Sequence, residues 1–381
     1  MKYVYLDNAA TTPIAKEVAE KMTSVMTECF GNPSSTHALG RKSKALLENS
    51  RRTVAKLLHC EPSEIIFTSG GTEADNMAIN SSVHLFGVKR IISTPLEHHA
   101  VGHTIESLEK KENIESVSVR TDEDGLVDLK HLEELLADTS KKTLVSLMHA
   151  NNEIGSLISL KKVSELCRKH DALFHSDTVQ TMGHYAFNLS ELDIDFITCA
   201  AHKFHGPKGV GFLYCNKKVK VENLIHGGSQ ERGFRGGTEN LYGIVGLAKA
   251  LELAYEDLES HQLHVQSLKT HMINRLQEIL PEVGFHGSII PEKSLYTVLN
   301  VKLPATKKSG MLLFTLDLKG VAASGGSACT SGANKGSHVL AGINADLSRP
   351  NVRFSFSRYT TIAEIDFAID KLSEIYEKTL V

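Results

Sequence analysis

TLVSLMHANNEIGSLISLKKVSELCRKHDALFHSD (143–177) contains a strand, a helix and a second strand in that order. The apolar runs at its two ends are short, as expected of buried strands. Between them, Leu160, Val163, Leu166 and Cys167 recur at the spacing of one helix face. A strand, a helix and a strand joined in this way normally place the two strands parallel, with the helix covering them. This stretch therefore predicts a parallel sheet.

The same alternation continues on both sides of this stretch. Another amphipathic helical segment occupies residues 129–137, and further short apolar runs occur at 64–68, 90–94, 115–119, 195–201 and 210–215. Strands that alternate with helices form a sheet covered on both faces. We therefore predict an α/β fold with a mainly parallel sheet between layers of helices.

The second half of the chain has a different pattern. A long helical pattern at 243–280 leads out of the alternating region, and the later elements are fewer and more widely spaced: 296–303, 310–320, 351–358 and 361–380. A chain of 381 residues is also long enough for two domains. We predict a large domain at 14–258 and a smaller α+β domain built from 1–13 and 259–381.

Composition excludes several classes of protein. The chain is 41% hydrophobic and 23% charged, with a net charge of −3. It therefore lacks the basic excess of a nucleic-acid-binding protein. No apolar run approaches the roughly 18 residues of a membrane span, and Asp7 comes too early for a secretory signal. The six cysteines include no C-x-x-C pair, which fits a cytoplasmic protein without disulfides or structural zinc.

Three motifs follow separate predicted strands. SGGTEADN (69–76) opens a helix with two glycines and Thr72, a pattern that suits a phosphate but also occurs as a plain helix cap. Asp177 ends a buried strand, where a carboxylate caps a helix or holds a proton on a pyridine nitrogen. Lys203 follows another strand and is either a surface cation or a Schiff-base lysine. Together the three motifs indicate a pyridoxal-phosphate site.

Ten blocks in this order resemble the cysteine desulfurases, in the class V aminotransferase branch of the fold-type I pyridoxal-phosphate enzymes. The blocks are YLDNAATTP (5–13), GNPSSTHALGR (31–41), TSGGTEADN (68–76), PLEHHA (95–100), HANNEIG (149–155), HSDTVQ (175–180), AHKFHGPKG (201–209), RGGTEN (235–240), SGGSACTSG (324–332) and VRFSFSRYTT (352–361). They extend over nearly the whole chain. The resemblance implies the fold of that class and release of alanine and sulfur from L-cysteine.

The resemblance also implies a role for each residue of the site. Lys203 would bind the cofactor covalently, Asp177 would pair with the pyridinium nitrogen, and His98 would stack on the ring and shuttle a proton. Cys329 would accept the sulfur as a persulfide. The other implied cofactor contacts are Gln180 and Asn152 at the ring oxygen and, at the phosphate, Gly71, Thr72, His202 and, from the second subunit of a homodimer, Thr238.

Arg353 and Asn32 match the residues that hold the substrate carboxylate. A guanidinium binds a carboxylate with two hydrogen bonds, although an arginine in a strand is more often part of a surface ion pair. Relatives commonly have a serine three residues before the lysine. This position is Ala200 here, so the chain lacks one hydroxyl that would contact the phosphate.

Cys329 lies in SGGSACTSGANKG (324–336), a small, polar, glycine-rich segment typical of a mobile loop. A tolerated surface thiol is the alternative interpretation. The pair His98 and His99 beside Glu97 resembles a metal site, but adjacent side chains diverge and no third ligand is evident. No intrinsic metal is expected. A transient cluster shared between Cys329 and a scaffold partner is left open.

We therefore predict a cytoplasmic, homodimeric, pyridoxal-phosphate-dependent cysteine desulfurase. Its persulfide sulfur would pass to an acceptor protein, either an iron–sulfur scaffold or a tRNA-thiolation carrier. The nearest alternative is a selenocysteine lyase or another β-lyase of the same fold. An aminotransferase and a non-catalytic scaffold are less favoured, because Lys203, Asp177, Arg353 and Cys329 are all present.

Overall fold

The computed structural model describes residues 3–306, 309–325 and 336–377. Its largest sheet has seven strands in the spatial order β2-β8-β7-β6-β5-β3-β4. The strands are β2 (Ile65–Thr68), β3 (Arg90–Ser93), β4 (Glu115–Ser118), β5 (Thr143–Ser146), β6 (Leu173–Asp177), β7 (Phe196–Ala200) and β8 (Gly211–Cys215). Strands β3 to β7 pair in parallel, whereas β8 is antiparallel to both of its neighbours. The prediction of a mainly parallel sheet is confirmed.

Helices cover both faces of this sheet. Successive residues of one strand point to opposite faces, so Leu144 and Val145 belong to two different hydrophobic cores. The same is true of Leu173 and Phe174. The helices of this part are α1 (Lys16–Glu28), α2 (Ala38–Leu57), α3 (Gly71–Phe86), α4 (His99–Glu112), α5 (Leu129–Leu136), α6 (Leu160–Lys169) and α7 (Leu241–Glu256).

The long helical pattern at 243–280 is two helices rather than one. Helix α7 ends at Glu256, and α8 (Leu258–Ile279) begins after Asp257, whose φ of −131° and ψ of 40° interrupt the helix. Buried apolar residues occur on both sides of this break, Leu251 and Ala254 before it and Val265 and Leu268 after it. Apolar residues at helical spacing therefore do not show where one helix ends and the next begins.

A third core lies between α8 and smaller sheets. Strand β10 (Val298–Lys302) pairs antiparallel with β9 (Gly284–His286) and β12 (Asn351–Ser355), and β1 (Val4–Tyr5) pairs parallel with β11 (Val321–Ala322). The remaining helices are α9 (Leu312–Leu318), α10 (His338–Gly342) and α11 (Ile362–Glu377). This core unites side chains from both ends of the chain, including Leu6 and Leu372. The predicted domain boundaries remain a prediction.

No helix in the described part of the chain is both long and apolar enough to cross a membrane. Five of the six cysteines lie in this part, and all five are free thiols. Burial raises the pKa of Cys60 to about 12 and raises the pKa values of Cys167, Cys199 and Cys215. These four thiols are therefore poor nucleophiles near neutral pH.

Candidate active site

A cavity of about 260 Å³ lies at the carboxyl-terminal edge of the large sheet. Strand β2 has the same direction as β7, because each is antiparallel to β8. The segments that follow β2, β3, β5, β6 and β7 therefore meet at one edge, the usual ligand position in such sheets. Ten of the predicted residues line this cavity: Gly71, Thr72, His98, Asn152, Asp177, Gln180, Ala200, His202, Lys203 and Arg353.

The start of α3 provides an anion site at one end of the cavity. Gly70 is the N-cap residue with a φ of +156°, and no side chain caps the helix there. The first helical N–H groups are therefore available to a phosphate. A Cβ on Gly71 would lie 2.8 Å from Cγ2 of Val179, so a side chain at this position would collide with the cavity wall. Both glycines fit a phosphate cradle.

Asp177 lies at the end of β6 and is 6% exposed. Its Oδ1 accepts a hydrogen bond of 2.9 Å from the N–H of Val179. Burial and, second, the negative charge of Asp75 together raise the pKa of this carboxyl to about 6. A cationic ring nitrogen in the cavity would favour the ionised form and lower this pKa. The position of Asp177 thus fits a pyridinium partner.

Lys203 follows β7 in a short 3-10 turn, Ala201–Lys203. Its ammonium donates to the carbonyl oxygens of Ala9 and Ala10 at 2.6 and 2.9 Å. Residues 9 and 10 belong to the N-terminal block 5–13, which the sequence analysis noted without assigning these two residues a role. Gln180 Nε2 also donates to the Ala9 carbonyl, at 3.1 Å. The N-terminal segment therefore fixes the side chains of two candidate cofactor-binding residues, Lys203 and Gln180.

His98 is the N-cap residue of α4, and its Nδ1 accepts a 3.2 Å hydrogen bond from the N–H of Ala100. Burial is the main cause that lowers the pKa of His98, and the charge of Lys203 lowers it further, whereas Asp177 raises it. The ring is therefore neutral near pH 7, with its proton on Nε2. A neutral imidazole of this kind can stack on an aromatic ring and transfer a proton.

Arg353 is fully buried in β12 and lines the cavity. One guanidinium nitrogen, Nη2, pairs with Asp7 at 2.8 Å, and Nη1 donates to the carbonyl oxygen of Asn152 at 2.8 Å. Its Nε makes no hydrogen bond in the described structure. A buried N–H group without a partner favours a ligand that supplies an acceptor.

Three predicted site residues do not line this cavity in the described structure. Asn32 is exposed, and its side chain accepts a 2.8 Å hydrogen bond from the N–H of Ser34. Thr238 is exposed and lines a separate cavity of about 210 Å³. Cys329 lies outside the described residues. The roles of these three residues stay predictions.

One cluster in the described part of the chain has the composition of a metal site. A side-chain atom from each of Asp75, His98 and Asp177 lies within 4.8 Å of the others. His98 and Asp177 are the two candidates for contacts with the cofactor ring, so we assign this cluster to the same cavity. Asp75 belongs to the quoted motif SGGTEADN, but the motif does not reveal its burial, because aspartate is a residue type that is mostly exposed.

Comparison with known proteins agrees with this geometry. Residues 4–367 match the model of the family Aminotransferase class-V. The cysteine desulfurase IscS of Dictyoglomus turgidum is 41% identical over 379 residues, which cover 98% of this chain and 95% of that protein. The chain belongs to the cysteine desulfurases of the class-V aminotransferase family. This confirms the resemblance in the sequence and makes the protein a pyridoxal-phosphate-dependent enzyme.

Solved structures show the same fold. A NifS-like protein from Rickettsia africae is 31% identical with a TM-score of 0.88, and the match covers 98% of this desulfurase and 99% of that chain. The structure of SspA in complex with cysteine is 29% identical with a TM-score of 0.79, and the match covers 95% and 100% of the two chains. The fold prediction is thus confirmed by structural neighbours as well as by the sheet topology.

Proposed function

We propose that this desulfurase converts L-cysteine to L-alanine and transfers the sulfur to the thiol of Cys329. The observation that carries the proposal is the cavity itself, which combines an uncapped helix N-terminus, a buried acid, a lysine and a buried arginine. These groups fit the phosphate, the ring nitrogen, the aldehyde and the substrate carboxylate. When bound, pyridoxal phosphate supplies an electron sink for the electrons of the substrate Cα–H bond.

Residues of the chain bind the substrate and transfer its protons. Arg353 binds the substrate carboxylate, and its buried Nε donates one of the hydrogen bonds. Lys203, once its amine is released by the incoming substrate amine, removes the Cα proton. Asp177 keeps the ring nitrogen protonated by remaining ionised beside it. His98 is neutral, so its imidazole moves a proton near the ring face.

Sulfur transfer requires a thiolate that reaches this cavity. The Cys329 thiolate attacks the substrate sulfur, so an S–S bond forms while the substrate Cβ–S bond breaks. The electron pair of the broken bond stays with the carbon skeleton, which takes up a proton and leaves as alanine. The products are alanine and a Cys329 persulfide, and no external oxidant or reductant is needed.

The described residues on both sides of segment 326–335 support this assignment. Ser324 and Arg353 exchange backbone hydrogen bonds, and Asn351 donates to the carbonyl oxygen of Gly325 at 2.9 Å. Cys329 follows Gly325 by four residues, a length of chain that spans at most roughly 14 Å. The substrate-binding strand β12 therefore lies within reach of this thiol.

The other side of the segment is attached to the same cavity wall. The hydroxyl of Ser337 hydrogen-bonds the carboxylate of Glu153, the neighbour of Asn152. Nε2 of His338 donates to the carbonyl oxygen of Glu97, the neighbour of His98, at 2.9 Å. These contacts keep Ser337 and His338 beside the candidate ring-binding residues. They support Cys329 as the sulfur acceptor.

The test of the proposed reaction is incubation of the purified enzyme with L-cysteine and a reductant. We expect alanine and sulfide in equal amounts, because each persulfide releases one sulfide when it is reduced. A keto acid instead of alanine would indicate an aminotransferase. Turnover of L-selenocysteine alone would favour the alternative of a selenocysteine lyase.

We also propose a homodimer in which Thr238 contacts the phosphate bound by the partner subunit. Thr238 lies three residues before the first residue of α7, and helices α1 and α2 both pack against α7. Large apolar side chains are exposed on or next to these three helices: Ile14, Met26, Phe30, Leu39 and Tyr242. Exposed apolar side chains in such number are typical of a surface that a partner covers.

A double charge substitution tests the dimer. Phe30→Glu with Tyr242→Glu is expected to give monomers by sedimentation and to weaken cofactor binding at least about tenfold, because burying a carboxylate in an interface is costly. The matched control is Leu263→Glu on α8, whose side chain is 66% exposed, between the 75% of Phe30 and the 46% of Tyr242. A monomer with undiminished cofactor affinity would rule out the role of Thr238.

The acceptor of the persulfide sulfur is proposed by chemical class only. An iron–sulfur scaffold and a tRNA-thiolation carrier both remain candidates, and a cytoplasmic location stays a prediction. Direct binding of nucleic acid is not proposed, since the net charge of −3 offers no basic excess.

A further inference from the structure

The cofactor cavity contains a second buried carboxyl group, Asp75. It lies in the first turns of α3 and is 1% exposed. Its side chain lines the cavity beside Asp177, and an oxygen of each carboxyl and a ring nitrogen of His98 lie within 4.8 Å of one another. The proposed function gives Asp177 a role but leaves Asp75 without one.

Among the described residues, the basic side chain within 4.0 Å of the Asp75 carboxyl group is that of His175. Nε2 of His175 lies 3.3 Å from Asp75 Oδ1, but this oxygen makes no hydrogen bond in the described structure. His175 is completely buried, and burial lowers its pKa to about 4, so the imidazole is neutral at pH 7. A neutral histidine cannot balance the charge of an ionised Asp75.

Each ring nitrogen of His175 lies within hydrogen-bond distance of a hydroxyl group, so the neutral ring can carry its proton on either nitrogen. Nδ1 lies 2.9 Å from the hydroxyl oxygen of Ser146, and Nε2 lies 3.1 Å from the hydroxyl oxygen of Thr198. With the ring proton on Nδ1 and donated to Ser146, Nε2 is an acceptor. A protonated Asp75 can then direct its O–H towards Nε2.

Two buried carboxyl groups that lie close together share one negative charge more readily than they carry two. Burial raises the pKa of Asp75 to about 7, only partly offset by the hydroxyl of Thr198. Asp177 accepts the N–H of Val179, which lowers its pKa, and the nearby charge of His98 lowers it as well. The backbone donor stabilises charge on Asp177, whereas the donor that lowers the pKa of Asp75 is the side-chain hydroxyl of Thr198.

We propose that Asp75 stays a neutral carboxylic acid in the cofactor-loaded enzyme, so that the single negative charge of the pair lies on Asp177. If the charge lay on Asp75 instead, Asp177 would hold the proton and could not stabilise a protonated ring nitrogen. This inference rests on the proposed function, because it takes Asp177 as the partner of that nitrogen.

Two asparagine variants form a matched test, because asparagine has the size of aspartate and no charge. For Asp75→Asn we expect a cofactor dissociation constant within about threefold of the wild-type value. The pH at which its cofactor absorption band changes should lie within a few tenths of a pH unit of that of the wild type. Asp177→Asn is expected to lose at least about a hundredfold in turnover and to change the absorption band. Infrared spectroscopy of the wild-type holoenzyme should show a protonated carboxyl band that Asp75→Asn lacks.

The outcomes separate this inference from the function on which it rests. If both variants lose turnover and cofactor affinity alike, Asp75 carries charge, and only this inference is wrong. A protonated carboxyl band that persists in Asp75→Asn would contradict it as well. If Asp177→Asn keeps nearly normal turnover, the proposed role of Asp177 fails, and the inference fails with it.

The apoprotein gives a readout that does not depend on activity. The pKa of Asp75 in the folded state, about 7, exceeds its ordinary value of 3.8, so its contribution to stability falls as pH rises from about 4 to 7. Glu97, His98, His175, Asp177 and Lys203 surround the same site in both proteins. The negative charge of Asp75 raises the pKa values of Glu97 and Asp177, so its loss lowers both values and acts in the same direction. The unfolding midpoint of apo Asp75→Asn should therefore rise relative to wild type between pH 4 and pH 8. A difference that is constant with pH would contradict the inference.

Discussion

Lys203→Ala is expected to abolish covalent attachment of the cofactor and to lower the rate of alanine formation at least about ten-thousand-fold. The substitution removes both the amine that binds the cofactor and the base that takes the Cα proton, and a positioned base alone contributes about 10² to 10⁴-fold. The measurement is reduction with borohydride followed by mass spectrometry, because reduction makes the lysine linkage permanent.

Lys208→Ala is the matched control for this prediction. Lys208 is exposed, lies five residues after Lys203 in the same glycine-rich turn, and does not line the cavity. Its variant should trap cofactor and form alanine like the wild type. Cofactor trapped in Lys203→Ala to the same extent as in the control would show that another lysine carries the linkage.

Cys329→Ser is expected to separate the early steps from sulfur transfer. A serine hydroxyl has almost no anion near neutral pH, so alanine formation should fall at least about a hundredfold. Lys203, Asp177 and Arg353 are unchanged in this variant. It should therefore still bind L-cysteine, shift the cofactor spectrum and exchange the substrate Cα proton with solvent.

Cys60→Ser is the control for Cys329→Ser. Cys60 is half-buried, and its pKa is raised to about 12 by burial, so its thiol should contribute nothing to sulfur transfer. Alanine formation by Cys60→Ser should equal that of the wild type. A Cys329→Ser enzyme that forms alanine as fast as Cys60→Ser would indicate a β-lyase that expels sulfide without a protein thiol.

Local sequence predicts most of the cavity because its residues follow parallel strands. Asp177 and Lys203 each stand directly after a short apolar run, and parallel strands end at one edge of the sheet. Spacing alone thus brings together groups that are far apart in the chain. The roles assigned to them still required the resemblance to the desulfurases.

Other features could not be predicted from the sequence. Apolar residues at helical spacing occur on both sides of the break at Asp257, so the sequence predicts one helix where the structure has α7 and α8. The contacts of Ala9 and Ala10 with Lys203 are backbone contacts, which side-chain patterns do not reveal. Asp75 looks like an ordinary acidic residue at a helix start, and only the tertiary structure shows that it is buried beside Asp177.

The central claim is that sulfur leaves L-cysteine by transfer to Cys329. The most direct measurement is mass spectrometry of the Cys329 peptide after a single turnover with L-cysteine and without a reductant. We predict that this peptide gains one sulfur atom for each alanine formed and that peptides containing the other five cysteines gain none. Alanine formed in stoichiometric amount while the Cys329 peptide gains no sulfur would contradict the claim.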